Sequence, residues 1–213
     1  MTALDFSTPP AYHVDNMSAG GVFMSSLLSS TVNTRAVLPG SLRILRSDAP
    51  VAPTDEDVAF LLAHGITTLI DLRFPRECQH HPCPLAQDER FHYLNLPVTG
   101  GNAMPASPAD VPRSYIAMAD AQMARILQAI DSAEGGVMFF CAAGKDRTGV
   151  VSALVQKRAG LPREEIVRDY VLSGENCRER LAAFARLRPE IDPAIYTPQP
   201  AYMEAFLDWA ENA

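Results

Sequence analysis

Residues 137–149 read Val-Met-Phe-Phe-Cys-Ala-Ala-Gly-Lys-Asp-Arg-Thr-Gly, and no other stretch constrains the chain as tightly. The apolar run Val137 to Phe140 predicts a buried strand. Small residues follow, Ala142, Ala143 and Gly144, and a helix is expected over 148–159. A strand that opens through a small loop into a helix can build an anion cradle, because successive backbone N–H groups converge at the helix N-terminus. Cys141 and Arg147 bracket the loop with five residues between them. That spacing lets the loop curl around an anion while the planar fork of Arg147 closes the ring on two of its oxygens. The same positive field favours a thiolate over the thiol that free cysteine, with a pKa of about 8.5, mostly is at neutral pH. A thiolate held under a bound phosphoryl group is placed to attack phosphorus.

The remainder of the chain supplies a frame for this unit. Short strands are expected at Leu42–Leu45, Ile66–Asp71 and Phe91–Leu96. Thr54 with Asp57 three residues on has the pattern of a capping box, and Val58, Leu61 and Leu62 form a helical stripe that stops at Gly65. Further helices are expected over 115–133, 163–172, 174–188 and about 200–211, with Pro162 near the start of one of them. The stretch from Pro97 to Pro112, full of Gly, Ala, Ser and Pro, is long for a compact domain and therefore a candidate functional loop. Residues 1–40 are rich in Ser, Thr, Gly, Pro and Asn and read as an arm over the core, so that 1–213 is one domain. Strands alternating with helices predict an α/β fold with a central, mostly parallel sheet flanked by helices. In such sheets ligands sit at the carboxyl ends of the strands, where Cys141 and Asp71 both fall.

Composition narrows the partners. A chain of 213 residues with 47% hydrophobic and 20% charged content is long enough for a substantial core. No run approaches 18 apolar residues, so stable membrane insertion is not expected. The net charge of −7 argues against nucleic acid as a partner. No Lys or Arg precedes Arg35, which is the wrong charge for a secretory leader, and the four cysteines are dispersed rather than framed for disulfides. A cytoplasmic location is the expectation.

With these residues in hand, the chain resembles the cysteine-dependent protein tyrosine phosphatase superfamily, whose loop reads H-C-x5-R-[ST]. More narrowly, Cys-Ala-Ala-Gly-Lys-Asp-Arg-Thr-Gly is similar to the bacterial branch of tyrosine and phosphoinositide phosphatases with a C-x-x-G-K-D-R-T-G loop. Ile66–Arg73 followed by Glu77 resembles that family's strand ending in D-L-R with a Glu four residues later. Leu42–Ser47 resembles its early strand ending in Arg-Ser, and the stretch from Gly160 to Ser173 its helices after the loop. The likeness covers roughly residues 40 to 190. Two departures stand out: Phe140 occupies the place of the usual His, and the family's opening N-F-R-D-x-G-G is only faintly echoed at Asn16 to Gly21.

The resemblance implies a phosphomonoester hydrolase running through a cysteinyl-phosphate, with no cofactor and no metal. Its most direct substrate would be phosphotyrosine on protein, with phosphoinositides as a further substrate. Small inositol phosphates or nucleotides, or a weakly active phosphate-binding module, are the alternatives. By that resemblance Cys141 would be the nucleophile, and Ala142, Ala143, Gly144, Lys145, Asp146, Arg147 and Thr148 would bind phosphate. For the general acid three carboxylates remain open, in the order Asp146, Asp71, Asp110. Asp146 could instead pair with Arg or cap the following helix, Asp71 could anchor Arg73, and Asp110 could be a turn residue. Lys145, one of only two lysines, is expected at the rim to meet additional phosphates, and Thr148 is expected to donate its hydroxyl to Cys141. Arg46 and Arg73 read as structural ion-pair members, with support of the site from behind as the alternative. The stretch Cys78-Gln79-His80-His81-Pro82-Cys83 offers four metal-ligand types, but too little chain to wrap a tetrahedron, and a surface turn is the simpler reading.

Overall fold

The computed structural model describes residues 26–101 and 103–212, so the echo at Asn16 to Gly21 lies outside the described residues. Arg35–Leu38 (β1) and Ser41–Asp48 (β2) form an antiparallel hairpin closed by Pro39 and Gly40, with Gly40 at φ +73°. Pro sets the first turn position and only Gly takes the second without strain. Asp55–Ala63 (α1) begins at Thr54, whose hydroxyl accepts the Asp57 amide while the Asp57 carboxylate accepts the Thr54 amide. Then come Ile66–Asp71 (β3), Pro75–His80 (α2), His92–Asn95 (β4), Val111–Met118 (α3), Ala121–Ser132 (α4) and Gly136–Cys141 (β5). The chain finishes with Asp146–Arg158 (α5), Arg163–Asn176 (α6), Arg178–Leu187 (α7), Pro193–Tyr196 (α8) and Pro200–Glu211 (α9).

The sheet order is β1-β2-β5-β3-β4, with only β1 antiparallel to its neighbour, so this is the expected mostly parallel α/β arrangement. Strand β5 lies between β2 and β3 and is buried along its whole length, as a parallel strand covered on both faces must be. Its side chains alternate between two cores. Val137, Phe139 and Cys141 face the larger one, built with α3, α4, α5, α6 and α9. Met138 and Phe140 face the smaller one with Leu45, Leu61 and Leu69. Each fully buried Phe contributes roughly 1.5–3 kcal/mol through its removal from water. The register pairs Asp48 with Cys141 and Asp71 with Phe140, so three strands end side by side at Cys141.

Several expectations need correction. Residues 35–38 are not part of an arm but an edge strand, and the Pro-Gly turn that brings them into the sheet is itself visible in the sequence. The helix expected over 115–133 is two helices. Asp120 interrupts it because its side chain accepts the amides of Gln122 at 2.9 Å and Met123 at 3.2 Å, an N-cap that starts α4 afresh. The long loop ends earlier than Pro112, since a 3-10 turn at Pro108–Asp110 leads directly into α3. Residues 78–83, expected as a surface turn, begin inside a helix, since Cys78 to His80 form the last part of α2.

Candidate active site

Residues 142–145 leave β5, cross over the sheet end and enter α5 at Asp146. What shapes this loop is the treatment of its carbonyls. The Ala142 oxygen faces the Ala49 amide, the Ala143 oxygen accepts from Asn33 Nδ2 at 3.2 Å and from the Cys177 thiol at 3.3 Å, and the Gly144 oxygen accepts from Asn33 Nδ2 at 2.8 Å and an Arg46 amine at 2.9 Å. In a trans peptide the following N–H points the opposite way. The amides of Ala143, Gly144 and Lys145 therefore point away from these partners, the orientation that an anion nest requires. Gly144 holds φ +63°, and a Cβ there would lie 2.6 Å from the backbone of Ser47 and Asp48. Only glycine fits.

Beneath the loop sits a buried ionic scaffold. Arg46 is fully buried, and Asp169 on α6 bridges it to Arg35, whose Nε lies 2.6 Å from the carboxylate. Burial first and the Arg35 charge second pull Arg46 down to about 10, while Asp169 opposes them. Burial also resists ionisation of Asp169, yet the two arginines hold its pKa below the ordinary value. Asp48 accepts the amides of Val32 and Asn33, and Arg180 on α7 reaches it at 2.7 Å. Arg46 thus belongs to a buried ion pair and also braces the loop through the Gly144 carbonyl.

Cys141 is 3% exposed at the end of β5. Arg147 lies on the first turn of α5 and meets Glu77 of α2 through two parallel hydrogen bonds of 2.7 and 2.8 Å. Glu77 is itself fixed by the Phe74 amide at 2.9 Å. Burial works against both charges, but the pairing outweighs it: the Arg147 pKa is raised, with the Cys141 charge a further contributor, and the Glu77 pKa is lowered. Glu77 appeared in the sequence only as part of the D-L-R-x-x-x-E spacing, and its role as the Arg147 anchor was missed.

The other expected site residues divide. Asp146 is 38% exposed and takes hydrogen bonds from the Tyr115 hydroxyl at 2.6 Å and, on its other oxygen, from Lys145 at 2.9 Å. Lys145 does not stand at the rim. Its side chain is 6% exposed because its ammonium also donates to the Tyr196 carbonyl on α8. Asp71 does not reach the cleft either: it is fully buried and its oxygens accept from the Arg73 guanidinium at 2.6 to 3.2 Å and from the Tyr93 hydroxyl at 2.8 Å. Asp110 accepts from Ser107 at 2.7 Å in the turn before α3. The Thr148 hydroxyl is buried with no hydrogen-bond partner among the described residues, so the expected bond to Cys141 is not formed. Phe140 faces away from Cys141, and the Arg73 guanidinium lies 5.6 Å from its ring centroid.

Cys83 is buried in the smaller core, and Cys78 donates to Asp71 at 3.5 Å, whereas His80 and His81 are exposed. These four side chains do not converge, and the described residues contain no group of three or more potential metal ligands.

A cavity of about 330 Å³ opens beside the loop, lined among others by Phe74, Glu77, Met104, Tyr115, Asp146 and Arg147. On the other side of Glu77 a second cavity of about 390 Å³ is lined by Ala142, Arg73, His80, His81 and Arg180. A larger groove of about 960 Å³ lies between β1 and α6, but it holds no nucleophile.

The chain is similar to several known proteins. A tyrosine-protein phosphatase of Nostoc commune is 35% identical over 130 residues, covering 56% of this chain and 44% of that protein, so the match spans less than half of the relative's length. A Cupriavidus necator protein with a tyrosine-protein phosphatase designation, H16_A0669, is 29% identical over 188 residues, covering 80% of this chain and 68% of its own. Among solved structures P. aeruginosa TpbA aligns with a TM-score of 0.44 and 19% identity, over 86% of this chain and 95% of that one. The model of the tyrosine phosphatase family matches residues 29–213, and on that match, with Cys141 and Arg147 closing a carbonyl-braced loop, the chain belongs to the tyrosine phosphatase family.

Proposed function

We propose that the chain hydrolyses phosphomonoesters through a cysteinyl-phosphate on Cys141, with phosphotyrosine on protein as its first substrate. The observation that carries this reading is the double hydrogen bond from Arg147 to Glu77. It holds the guanidinium plane still beside the loop, ready for the equatorial oxygens of a phosphoryl group. Cys141 attacks phosphorus, the S–P bond forms as the ester P–O bond breaks, and Asp146 gives its proton to the departing oxygen. Water then attacks the phosphocysteine, Asp146 takes back a proton, and the thiolate leaves. Of the three carboxylates, Asp146 is the one that lines the cavity while remaining partly exposed. Asp71, committed to Arg73, is read as a structural anchor.

The cavity walls favour an aromatic ester. Phe74, Met104 and Tyr115 can flank a flat ring whose phosphate reaches the loop, and the short arm of phosphoserine reaches it less well. Phosphoinositides form a second reading, supported by the other cavity rather than by Lys145. There Arg180 supplies a cation, and His80 and His81 supply ring N–H donors, that further phosphates on an inositol ring would meet. Four free thiols suit a reducing compartment such as the cytoplasm. The test is hydrolysis of p-nitrophenyl phosphate in the presence of EDTA. Turnover is expected, because the nest and Arg147 supply the positive charge. Binding of inorganic phosphate without turnover would instead make the chain a phosphate-binding module.

A further inference from the structure

Asp146 is not held by the loop alone. The hydroxyl of Tyr115, a residue of α3 that is 2% exposed, donates to Asp146 Oδ1 at 2.6 Å. The hydroxyl of Tyr170 on α6 lies 2.8 Å from that of Tyr115. Since the Tyr115 hydrogen is committed to the carboxylate, Tyr170 must supply the hydrogen in this second contact. Burial first, and the Asp146 charge next, push both phenols well above their ordinary pKa, so each keeps its proton. The rings meet nearly edge to face, 5.9 Å between centroids at 80°. Packing fixes them from the α5 side too: a Cβ on Gly149 would lie 3.1 Å from the Tyr170 ring, so the glycine after Thr148 makes room for this pair. Three helices, α3, α5 and α6, therefore converge on one oxygen of one carboxylate.

We propose that Tyr115, backed by Tyr170, is a positioning residue that decides which oxygen of Asp146 exchanges a proton with the substrate. Tyr115 occupies Oδ1 as a donor whether or not Asp146 is protonated, so the mobile proton resides on Oδ2, the oxygen that Lys145 meets at 2.9 Å in the carboxylate and must release when Oδ2 is protonated. In the first step the Oδ2 proton passes to the ester oxygen as the P–O bond breaks, leaving a carboxylate. In the second, Oδ2 receives a proton from the attacking water as the S–P bond breaks. Without Tyr115 the carboxyl can rotate and protonate on either oxygen, and transfer to the leaving group loses its alignment. This inference rests on the phosphatase reading with Asp146 as the acid.

The test compares kcat/KM for phenyl phosphate, a poor leaving group that needs the acid, and p-nitrophenyl phosphate, a good one that barely does. Positioned general acids contribute on the order of 10²–10⁴. For Tyr115→Phe we expect a loss of about 10- to 100-fold on phenyl phosphate and less than about 3-fold on p-nitrophenyl phosphate. Asp146→Asn should show the same differential, and the double variant should be no worse than Asp146→Asn alone, as for residues acting in one unit. Tyr170→Phe, which keeps the ring packing, should give a weaker differential of the same sign, and it serves as the probe if Tyr115→Phe does not fold. Equal losses on both substrates, or none, would overturn the inference and leave Tyr115 a packing residue. Wild type is the control on the wider reading: if it turns over neither substrate, the phosphatase reading fails and this inference with it.

Discussion

The Arg147 guanidinium meets the Glu77 carboxylate edge to edge, with its two terminal amines 2.7 and 2.8 Å from the two carboxylate oxygens. The pair joins α5 to α2 across the mouth of the loop, and it sets the plane in which Arg147 can present its remaining donors to an anion.

Removing the anchor should therefore weaken phosphate recognition rather than abolish chemistry. A charge-assisted hydrogen bond is worth about 1.5–3 kcal/mol, which corresponds to roughly 10- to 100-fold in kcat/KM. Glu77→Ala is expected to lose that much on p-nitrophenyl phosphate and to bind vanadate correspondingly less well. Vanadate affinity within twofold of wild type would show that Arg147 is oriented by something else.

Lys145 provides a different expectation from the one its sequence position invites. Its ammonium is tied to the Tyr196 carbonyl and to Asp146, inside the protein. Lys145→Ala should accordingly lower the thermal midpoint and reduce hydrolysis of phosphotyrosine peptides and soluble phosphoinositides by the same factor. A loss confined to phosphoinositides would mean that Lys145 swings out to meet substrate.

A pH-dependent contribution to stability is expected at Asp57, away from the loop. Its carboxylate accepts the amides of Ser29 at 2.6 Å, Ser30 at 3.1 Å and Thr54 at 3.1 Å. Burial resists the charge, but these bonds prevail and hold the pKa at about 2. An unfolded Asp titrates near 3.9, so the folded value is depressed and the stabilisation is present in full above about pH 4. It is lost as pH falls through about 2. At pH 7 it amounts to about 2–3 kcal/mol. Urea unfolding of Asp57→Asn against wild type should show that gap at pH 7 and a narrowing gap at pH 3. A gap that does not change with pH would assign the loss to packing alone.

Much of this architecture is legible in the sequence where the information is local. The run into Cys141, the small residues after it, and the Thr54–Asp57 cap each declare themselves within a few positions, and β3 occupies the residues its pattern predicts. What escapes a linear reading is what spans distance. Asn33 braces loop carbonyls 110 and 111 residues further on, and Asp169 reaches back 134 residues to Arg35. Nothing near Asn33 or Asp169 hints at those partners. The break at Asp120 was hidden because its flanks, 115–119 and 121–133, share a helical stripe with no Gly or Pro between them. Lys145 misled for a related reason: rarity of lysine suggested a working surface charge, whereas α8, too short to show a period, delivers the carbonyl that buries it.

The central claim is that phosphate passes through Cys141. The most direct measurement is mass spectrometry of protein quenched in acid during turnover of p-nitrophenyl phosphate, using Asp146→Asn to slow hydrolysis of the intermediate. A single added phosphoryl group is expected on the peptide carrying Cys141, absent in Cys141→Ser, which should still bind vanadate while losing turnover. An unmodified Cys141 during sustained turnover, or a Cys141→Ser variant retaining wild-type activity, would contradict the account.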